Sequence, residues 1–424
     1  MALLKNLLQR GSEIDKDHFK LSFRIIFYYL YIVIRLFIHQ IVKAFRIYKK
    51  QQVIPEGQIR INNILYRHKL DPEQIAHDCD FLLSGSFLAD YSVLKSPQWV
   101  PYAIYKDVVY YVLLPKDVKQ YSARSTSFIF VPMFEEALAV AEVPMPTFLN
   151  LFQSIEEPPK TVLYTNTARC GSTLLARMLD NEGKSVCLAE PHVLCHLAMG
   201  QQQKYFSDLE LPNLARAVFN SLRWHVPKDQ VLILKTTSCE ASLVPFCTEV
   251  PNLKHIFMFR KNGFQSVEKM VHREGALIKW DLDRFNRLPP SYPGSLICQE
   301  YNYAQKLTPR TLREWTAIVY AAPYSHYLKN KKFYCSDVIW FHDVIGETRK
   351  TLESLFEKID IPASCVDEAA ERLESDSQAG SFLSSSLLTH IKLSPITQED
   401  RAMFSRYARV MEIPEDVFLP PMEQ

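Results

Sequence analysis

The hydrophobic positions in the second half of the chain fall into short runs separated by polar segments. Runs typical of buried strands lie at Thr161–Thr165, Val231–Lys235 and His255–Phe259. The segment Ser172–Leu179 has helical spacing, and Thr348–Ile359 places its large apolar residues on one helix face. Strands that alternate with helices predict an α/β fold, in which a parallel sheet is flanked by helices.

The segment before this one has a different pattern. The runs Asp107–Leu114 and Ser127–Val131 are rich in β-branched and aromatic residues and predict strands. Prolines in residues 144–159 separate this segment from the next. We therefore predict three parts: an N-terminal helix in residues 1–50, a small region of unknown role in residues 51–155, and an α/β domain in residues 156–424.

Residues 16–50 predict a helix with a basic stripe. Ten apolar or aromatic residues lie between Arg24 and Arg35, whereas a membrane span needs about 20. A span from Leu21 to Val42 would therefore bury Arg35. Basic and aromatic residues recur every three or four positions and share one face of the helix. They are Lys16, Lys20, Arg24, Tyr28, Tyr31, Arg35, His39, Lys43, Arg46 and Lys50.

Three arrangements of this helix fit the pattern. The helix lies on an anionic membrane surface with its basic stripe at the headgroups. Alternatively, it packs on the protein's own body with its charges in water. In the third arrangement it crosses the membrane once, and Arg35 extends its charge toward the interface. We expect membrane association, and the sequence leaves its mode open.

Composition narrows the function classes. The 49 basic and 47 acidic residues leave a formal net charge of +2, so no bulk charge attracts nucleic acid. Nine cysteines occur without a Cys-x-x-Cys pair, which argues against a zinc site of that type and favours buried free thiols. We expect no metal. The absence of Asn-x-Ser/Thr sequons disfavours a lumenal surface.

The segment Thr165–Leu175 carries the clearest chemistry. It follows a predicted strand and opens a predicted helix, so its backbone N–H groups can bind phosphate or sulfate oxygens. Gly171 permits close approach of the backbone, and Arg169 supplies a cation. An ATP-hydrolysing P-loop carries a lysine after its last glycine, where Ser172 stands here. An ordinary turn, in which Gly171 and Ser172 only cap the helix, is the alternative.

The run Arg169–Leu175 (RCGSTLL) resembles the 5′-phosphosulfate loop of the sulfotransferase superfamily, commonly R-[ST]-G-[ST]-T-x-[LW]. This resemblance implies a P-loop α/β fold over residues 160–390 and 3′-phosphoadenosine 5′-phosphosulfate (PAPS) as the donor. It also implies that Arg169 contacts the bridging oxygen and eases departure of the nucleotide. The donor-binding residues that it implies in this loop are Arg169, Cys170, Gly171, Ser172, Thr173 and Leu174.

Two further segments follow in the family's order. Glu190, in Ala189–His192, stands where some members carry a catalytic glutamate, and the resemblance implies that it is the base. Lys235 matches the lysine of a Lys-Thr-His motif, but Thr237 occupies the place of the catalytic histidine. His192 is a fallback candidate for the base. The implied catalytic set is therefore Arg169, Glu190 and Lys235.

The last segment, Pro251–Arg260, is similar to the strand that leads to the family's 3′-phosphate site. Arg260 matches the arginine of that site. The serine expected eight residues later is Glu268, and the nearest serine is Ser266. A glutamate facing a phosphate would repel it, so either Ser266 becomes the second contact after a register shift, or the 3′ end of the nucleotide is held less tightly.

The expected function is therefore sulfuryl transfer from PAPS to a hydroxyl or amine of a small molecule or glycan. A non-catalytic nucleotide-binding or scaffold protein at a membrane is the first alternative, and a P-loop kinase is the second. Resemblance to Golgi members implies a single-pass Golgi protein, whereas a cytoplasmic peripheral protein fits the absent sequons. Two segments, Ile278–Tyr303 and Asp376–Ser386, are candidates for covering the acceptor and the nucleotide, or are simply surface loops.

Overall fold

The computed structural model describes residues 16–48, 53–70, 74–273, 299–374 and 391–419. Its first sheet is antiparallel and lies in the small region that precedes the predicted α/β domain. Within this sheet the strand order is β2-β1-β5-β4-β3. The strands are β1 Gln58–Arg67, β2 Phe81–Asp90, β3 Trp99–Ile104, β4 Val108–Leu113 and β5 Ala139–Pro144. The prediction for Asp107–Leu114 is confirmed by β4.

The second sheet is parallel, with the order β10-β9-β6-β8-β7. Its strands are β6 Thr161–Asn166, β7 Ser185–Ala189, β8 Val231–Lys235, β9 Leu253–Phe259 and β10 Ile339–Trp340. Alternate residues of one strand enter two separate apolar clusters: Leu163 joins one, and Val162 and Tyr164 join the other. Because both faces are covered, the strands are continuous apolar runs, which is why the sequence predicted three of them.

The described residues also contain thirteen α-helices. They are α1 Lys16–Tyr48, α2 Phe130–Glu135, α3 Met145–Phe152, α4 Ser172–Met178, α5 His192–Gln202, α6 Leu211–Arg223, α7 Phe264–Arg273, α8 Gln299–Leu307, α9 Leu312–Asn330, α10 Phe341–Gly346, α11 Thr348–Ile359, α12 Val366–Glu371 and α13 Gln398–Met411. Helices α4 and α11 confirm the two predicted from spacing. On α11 the buried face is the predicted one, with Leu352, Leu355, Phe356 and Ile359.

The prediction of a strand at Ser127–Val131 is wrong. Phe130 begins the short helix α2, and Pro132 lies in its first turn, where a missing N–H is tolerated. The aromatic residues that suggested a strand are buried by stacking instead. The rings of Phe128 and Phe130 lie 5.5 Å apart, and Phe130 stacks on His192 at 4.3 Å. The apolar composition of Ser127–Val131 therefore indicates that the segment is buried, but does not distinguish a strand from a helix.

The first sheet packs against α5 and α6, and one apolar cluster continues from it into the parallel sheet. Polar contacts join the two parts. The backbone N–H of Ala76 donates to Nδ1 of His192 at 3.0 Å, and Tyr111 and Ser221 share a hydrogen bond of 2.5 Å. The small region is thus attached directly to the helix that follows β7.

The cysteines match the sequence-based interpretation over the described residues. All eight of them there are free thiols, and only Cys335 is not fully buried. Helix α1 contains a stretch, Phe23–Phe45, with the length and apolar character of a membrane-crossing helix, although signal sequences and buried core helices share those properties.

Candidate functional site

The residues singled out from the sequence gather at one edge of the parallel sheet. The Arg169 loop follows β6, Glu190 follows β7, Lys235 ends β8, and Arg260 follows β9. Since these four strands are parallel, the connections that leave them start at the same edge. This carboxyl edge is where open α/β sheets bind their ligands.

The foot of the loop is held by side-chain hydrogen bonds. The Thr165 hydroxyl donates to the carbonyl of Ile256 at 3.1 Å, and the Asn166 amide donates to the carbonyl of Thr236 at 2.6 Å. The Thr167 hydroxyl donates to a carbonyl of α9, at 2.9 Å. The loop is thereby fixed to both neighbouring strands and to one helix before any ligand binds.

The part of the loop from Arg169 to Gly171 requires unusual backbone conformations. Arg169 has φ of 58° and Gly171 has φ of 89°, both in the left-handed region. A Cβ atom on Gly171 would lie 2.5 Å from a ring carbon of Phe341, so both the conformation and the space call for glycine. Cys170 is buried, and burial raises the pKa of its thiol to about 11, so it is not a nucleophile at neutral pH.

Glu190 and Lys235 form an ion pair at the end of β7 and β8. Lys235 donates from Nζ to the Glu190 carboxylate, and the Glu190 backbone N–H donates to the Lys235 carbonyl at 2.6 Å. Both side chains are largely covered, at 3% and 13% exposure for lysine and glutamate. Burial raises the pKa of Glu190, and the charge of Lys235 opposes this rise. Two of the three predicted catalytic side chains are thus in contact.

Glu190 also adopts a strained backbone, with φ of 61°. Such conformations cost about 1–3 kcal/mol and concentrate at functional sites. The charge of Lys235 acts to lower the pKa of the Cys170 thiol in the loop, against the effect of burial. Lys235 Nζ also lies 5.5 Å from the centroid of the Phe128 ring. The pair therefore contacts the segment that leads into α2.

Arg260 is connected to the loop through Phe341, a residue that the sequence interpretation missed. The Arg260 guanidinium carbon lies 4.5 Å from the centroid of the Phe341 ring, and the same ring faces Gly171. Phe341 begins α10, directly after β10, and so reaches the same edge of the sheet. No motif marks it, but its place after a short apolar strand is the signal that could have found it.

Glu268 does not carry a free negative charge into this region. Its side chain is 1% exposed, and Nε of Arg313 lies 2.6 Å from its carboxylate. Arg313 also bonds Asp400 at 2.8 Å. Ser266 lies two residues earlier in α7 and is partly exposed. Because Arg313 pairs with Glu268, the glutamate charge is compensated and the repulsion expected from the sequence is reduced.

Behind the pair lies a buried polar cluster that the sequence did not reveal. The Glu240 carboxylate accepts from the Thr237 hydroxyl at 2.6 Å and from the thiols of Cys195 and Cys239 at 2.9 and 3.3 Å. Burial raises the pKa of Glu240 well above its usual value. The ligand atoms of Cys195, Cys239 and Glu240 lie within 4.8 Å of one another, a set that could hold a metal ion. Thr237, in the place expected for a histidine, thus serves this cluster.

His192 is not placed as an alternative base. It is 2% exposed, its Nδ1 accepts from Ala76, and its ring stacks on Phe130. Burial lowers the pKa of this imidazole well below its usual value. The predicted covering segments lie mostly outside the described residues: only Gln299–Tyr303 of the first is described, in α8, and none of Asp376–Ser386.

No protein-family model matches the sequence, and no curated protein matches it significantly. Solved structures that are similar to it include a sulfotransferase from Alicyclobacillus acidocaldarius, with 15% identity, a TM-score of 0.31, and coverage of 60% of this chain and 96% of that one. The sulfotransferase domain from the curacin biosynthetic pathway has 15% identity, a TM-score of 0.33, and coverage of 61% and 98%. A mouse sulfotransferase complexed with PAP has 12% identity, a TM-score of 0.32, and coverage of 62% and 90%.

Proposed function

We propose that this chain transfers a sulfuryl group from PAPS to a hydroxyl or amine of a small-molecule or glycan acceptor. One observation carries the proposal: the Arg169 loop, the Glu190–Lys235 pair and Arg260 stand at a single edge of a parallel sheet. The loop sequence is the one that resembles a 5′-phosphosulfate site. The remaining residues supply the charges that the reaction needs.

The donor would bind along this edge. Gly171, Ser172 and Thr173 offer backbone and hydroxyl groups to the 5′-phosphosulfate, with Arg169 at its bridging oxygen, while Cys170 and Leu174 shape the loop. Arg260, supported by the Phe341 ring, would bind the 3′-phosphate together with Ser266. Because Phe341 contacts both Gly171 and Arg260, the two ends of the donor site share one support.

The transfer itself needs a base and a cation on the leaving group. The acceptor oxygen bonds to sulfur, the sulfur–oxygen bond to the nucleotide breaks, and the acceptor proton passes to Glu190. Protonation of Glu190 removes its negative charge and ends the ion pair with Lys235. The Lys235 ammonium is then available to the phosphate that is acquiring charge. Arg169 and Lys235 supply the cations, so the proposed transfer calls for no metal.

Ligand affinity separates this function from its alternatives. In isothermal titration of the purified full-length protein, 3′-phosphoadenosine 5′-phosphate (PAP), the nucleotide product of the transfer, should bind more tightly than ATP. Arg169→Ala should weaken the binding of PAP, whereas the surface variant Arg216→Ala should not. A preference for ATP would indicate a P-loop kinase. Failure to bind either nucleotide would indicate a scaffold, and PAP binding without transfer to any acceptor would indicate a non-catalytic nucleotide-binding protein.

We also propose that α1 associates the protein with a membrane, because Phe23–Phe45 is long and apolar. The location is either a Golgi membrane, as the family resemblance suggests, or the cytoplasmic surface of a membrane. Fractionation of cells that express the full chain tests this part separately from the chemistry. Protein that stays in the soluble fraction without detergent would contradict it.

A further inference from the structure

The middle of the polar face of α1, around Tyr31 and Arg35, is turned toward the protein. Arg35 donates from Nη2 to the Asp78 carbonyl at 2.8 Å and to the Asp78 carboxylate at 2.9 Å. The Tyr31 hydroxyl donates to the carbonyl of Cys79 at 2.8 Å. Both charged partners are largely covered, with 12% exposure for Arg35 and 29% for Asp78. The middle of the basic stripe thus contacts the segment around residues 78–81, away from solvent.

The same contact extends toward the start of the helix. Arg24 donates to the carbonyl of Leu70, and Tyr28 accepts from the Gln74 amide at 3.3 Å. From Arg24 to Arg35 the contact covers about 16 Å of helix length, at 1.5 Å per residue. Helix α1 therefore lies along the surface of the first sheet's flanking segment over three turns.

The Asp78 end of this contact is electrostatically reinforced. His77 Nδ1 lies 2.7 Å from the Asp78 carboxylate. Although burial raises the pKa of Asp78, the hydrogen bond and charge of His77 and the charge of Arg35 hold it well below its usual range. Asp78 is therefore an anion at neutral pH, and it holds Arg35 as a charged partner.

The opposite face of α1 is apolar and open. Its large side chains are between 47% and 68% exposed. On a helix of 3.6 residues per turn they cover about half of the circumference. They are Phe23, Ile26, Phe27, Tyr29, Leu30, Val33, Ile34, Leu36, Phe37, Ile41 and Phe45. From Ile26 to Phe37 no exposed side chain carries a charge.

We infer that α1 lies in the plane of a membrane, with this apolar face in the lipid and the middle of its basic stripe, from Tyr28 to Arg35, held by the protein's own Gln74–Phe81. The inference rests on the membrane association proposed above and is independent of the sulfuryl transfer. It differs from the expected arrangement, in which the whole basic stripe meets anionic headgroups, because Arg35 is held by the protein while Lys43 stays exposed. Lipid is the occupant of the apolar face, and the protein body takes the place of the headgroups at Arg35.

A membrane-crossing α1 does not fit these contacts. A span over Phe23–Phe45 would place Arg35 near its middle, within the hydrocarbon. Either its partner Asp78 would be pulled into lipid with it, or the contact would break and leave a buried charge at a cost of several kcal/mol. Lying in the plane keeps every contact.

A second copy of the chain fits the apolar face less well than lipid does. Two helices that associate in water bury a narrow seam, about two positions in seven. The open face of α1 covers about half of the helix, so a partner helix would leave much of it in water. A membrane surface covers a broad arc at once.

The electrostatic consequence can be measured with vesicles. Because Arg35 is engaged by the protein and the apolar face enters the lipid, binding should not require anionic lipid. Full-length protein should float with vesicles of phosphatidylcholine alone, and added phosphatidylserine should strengthen binding only through exposed charges such as Lys43. It should also stay bound in about 1 M salt, where the Debye length is about 3 Å. Binding only to the anionic vesicles, or release by salt, would overturn the inference.

Topology is tested on sealed microsomes that carry the full chain with an epitope tag at each end. An in-plane helix leaves both tags on the same side, so protease removes both or neither. Tags on opposite sides would establish a span and overturn the inference, leaving membrane association intact. Protein that remains soluble, as a monomer or a dimer, would overturn both the inference and the membrane association, and would leave the proposed chemistry untouched.

Variants identify the face that enters the lipid. The triple variant Phe27→Ser/Val33→Ser/Phe37→Ser should lose at least about tenfold in vesicle partitioning with an unchanged thermal midpoint, because these side chains are 56–68% exposed and belong to neither apolar cluster. Leu209→Ser, at an apolar side chain that is 90% exposed outside α1, is the matched control and should bind as the parent does. Equal binding by both variants would contradict the assignment of this face.

Discussion

Lys235 donates to the carboxylate of Glu190 while the Glu190 backbone N–H donates to the Lys235 carbonyl, so the ends of β7 and β8 are joined twice. The backbone contact fixes where Glu190 leaves its strand. The side-chain contact places a buried cation beside the candidate base. A change at either residue therefore affects both the chemistry and the stability of this edge, and the two effects must be separated by design.

The first prediction separates them at Glu190. Glu190→Gln should lower turnover by about 100-fold or more, since an amide cannot accept the acceptor's proton. It should also lower stability by about 3–5 kcal/mol, because Lys235 is left buried without its partner. The double variant Glu190→Gln/Lys235→Met should regain much of the thermal midpoint without regaining activity. Sulfation rates together with thermal melts check this, and turnover at the parent rate in either variant would place the base elsewhere.

A second prediction concerns pH. Burial raises the pKa of Glu190 above the usual carboxyl value, and Lys235 offsets part of that rise. The base must be ionised, so the acid limb of kcat/KM should lie above the usual carboxyl range, with rate lost as pH falls through it. The residual activity of Glu190→Gln should lack this limb. An unchanged limb in the variant would assign the ionisation to another group.

The third prediction removes the loop cation. Arg169→Ala should lower the rate of sulfuryl transfer by about 100-fold or more, because a contact to the leaving group is lost. The fold should persist, since Arg169 lies in a connection between β6 and α4, and alanine meets the same backbone restriction at a φ of 58° as arginine does. Arg216→Ala, at an arginine on α6 paired with Glu249, is the matched control. Parent rates in the Arg169 variant would contradict the assignment.

Sequence predicted the parallel sheet well because strands covered on both faces are uninterrupted apolar runs, as at β8. It predicted a strand at Ser127–Val131 wrongly, because aromatic residues stacked in a core look alike in a strand and in α2. The sequence could not predict which face of α1 contacts the protein, since the partner of Arg35 lies more than forty residues away along the chain. The roles of the site residues stay predictions.

Long-range pairing also explains what was missed at the site. Glu268 looked like an anion beside a phosphate until Arg313 appeared as its partner, and no local pattern connects the two. The Cys195, Cys239 and Glu240 cluster is assembled from α5 and the segment after β8, so no spacing rule marks it. Phe341 is a similar case, since its contacts to Gly171 and Arg260 join segments far apart in sequence.

The last prediction tests the far end of the donor site. Arg260→Ala should lower the affinity for PAP by about 10- to 100-fold, because a hydrogen bond to a charged group is worth about 1.5–3 kcal/mol. Its affinity for AMP, which lacks the 3′-phosphate, should change by less than about threefold. Phe341→Leu should have a smaller effect in the same direction, since the guanidinium loses the ring 4.5 Å away but keeps its charge. Titration calorimetry with PAP and with AMP measures how much affinity each variant loses for either ligand. An equal loss for PAP and AMP would show that Arg260 supports the loop rather than the 3′-phosphate, and no loss for either would place the 3′-phosphate elsewhere.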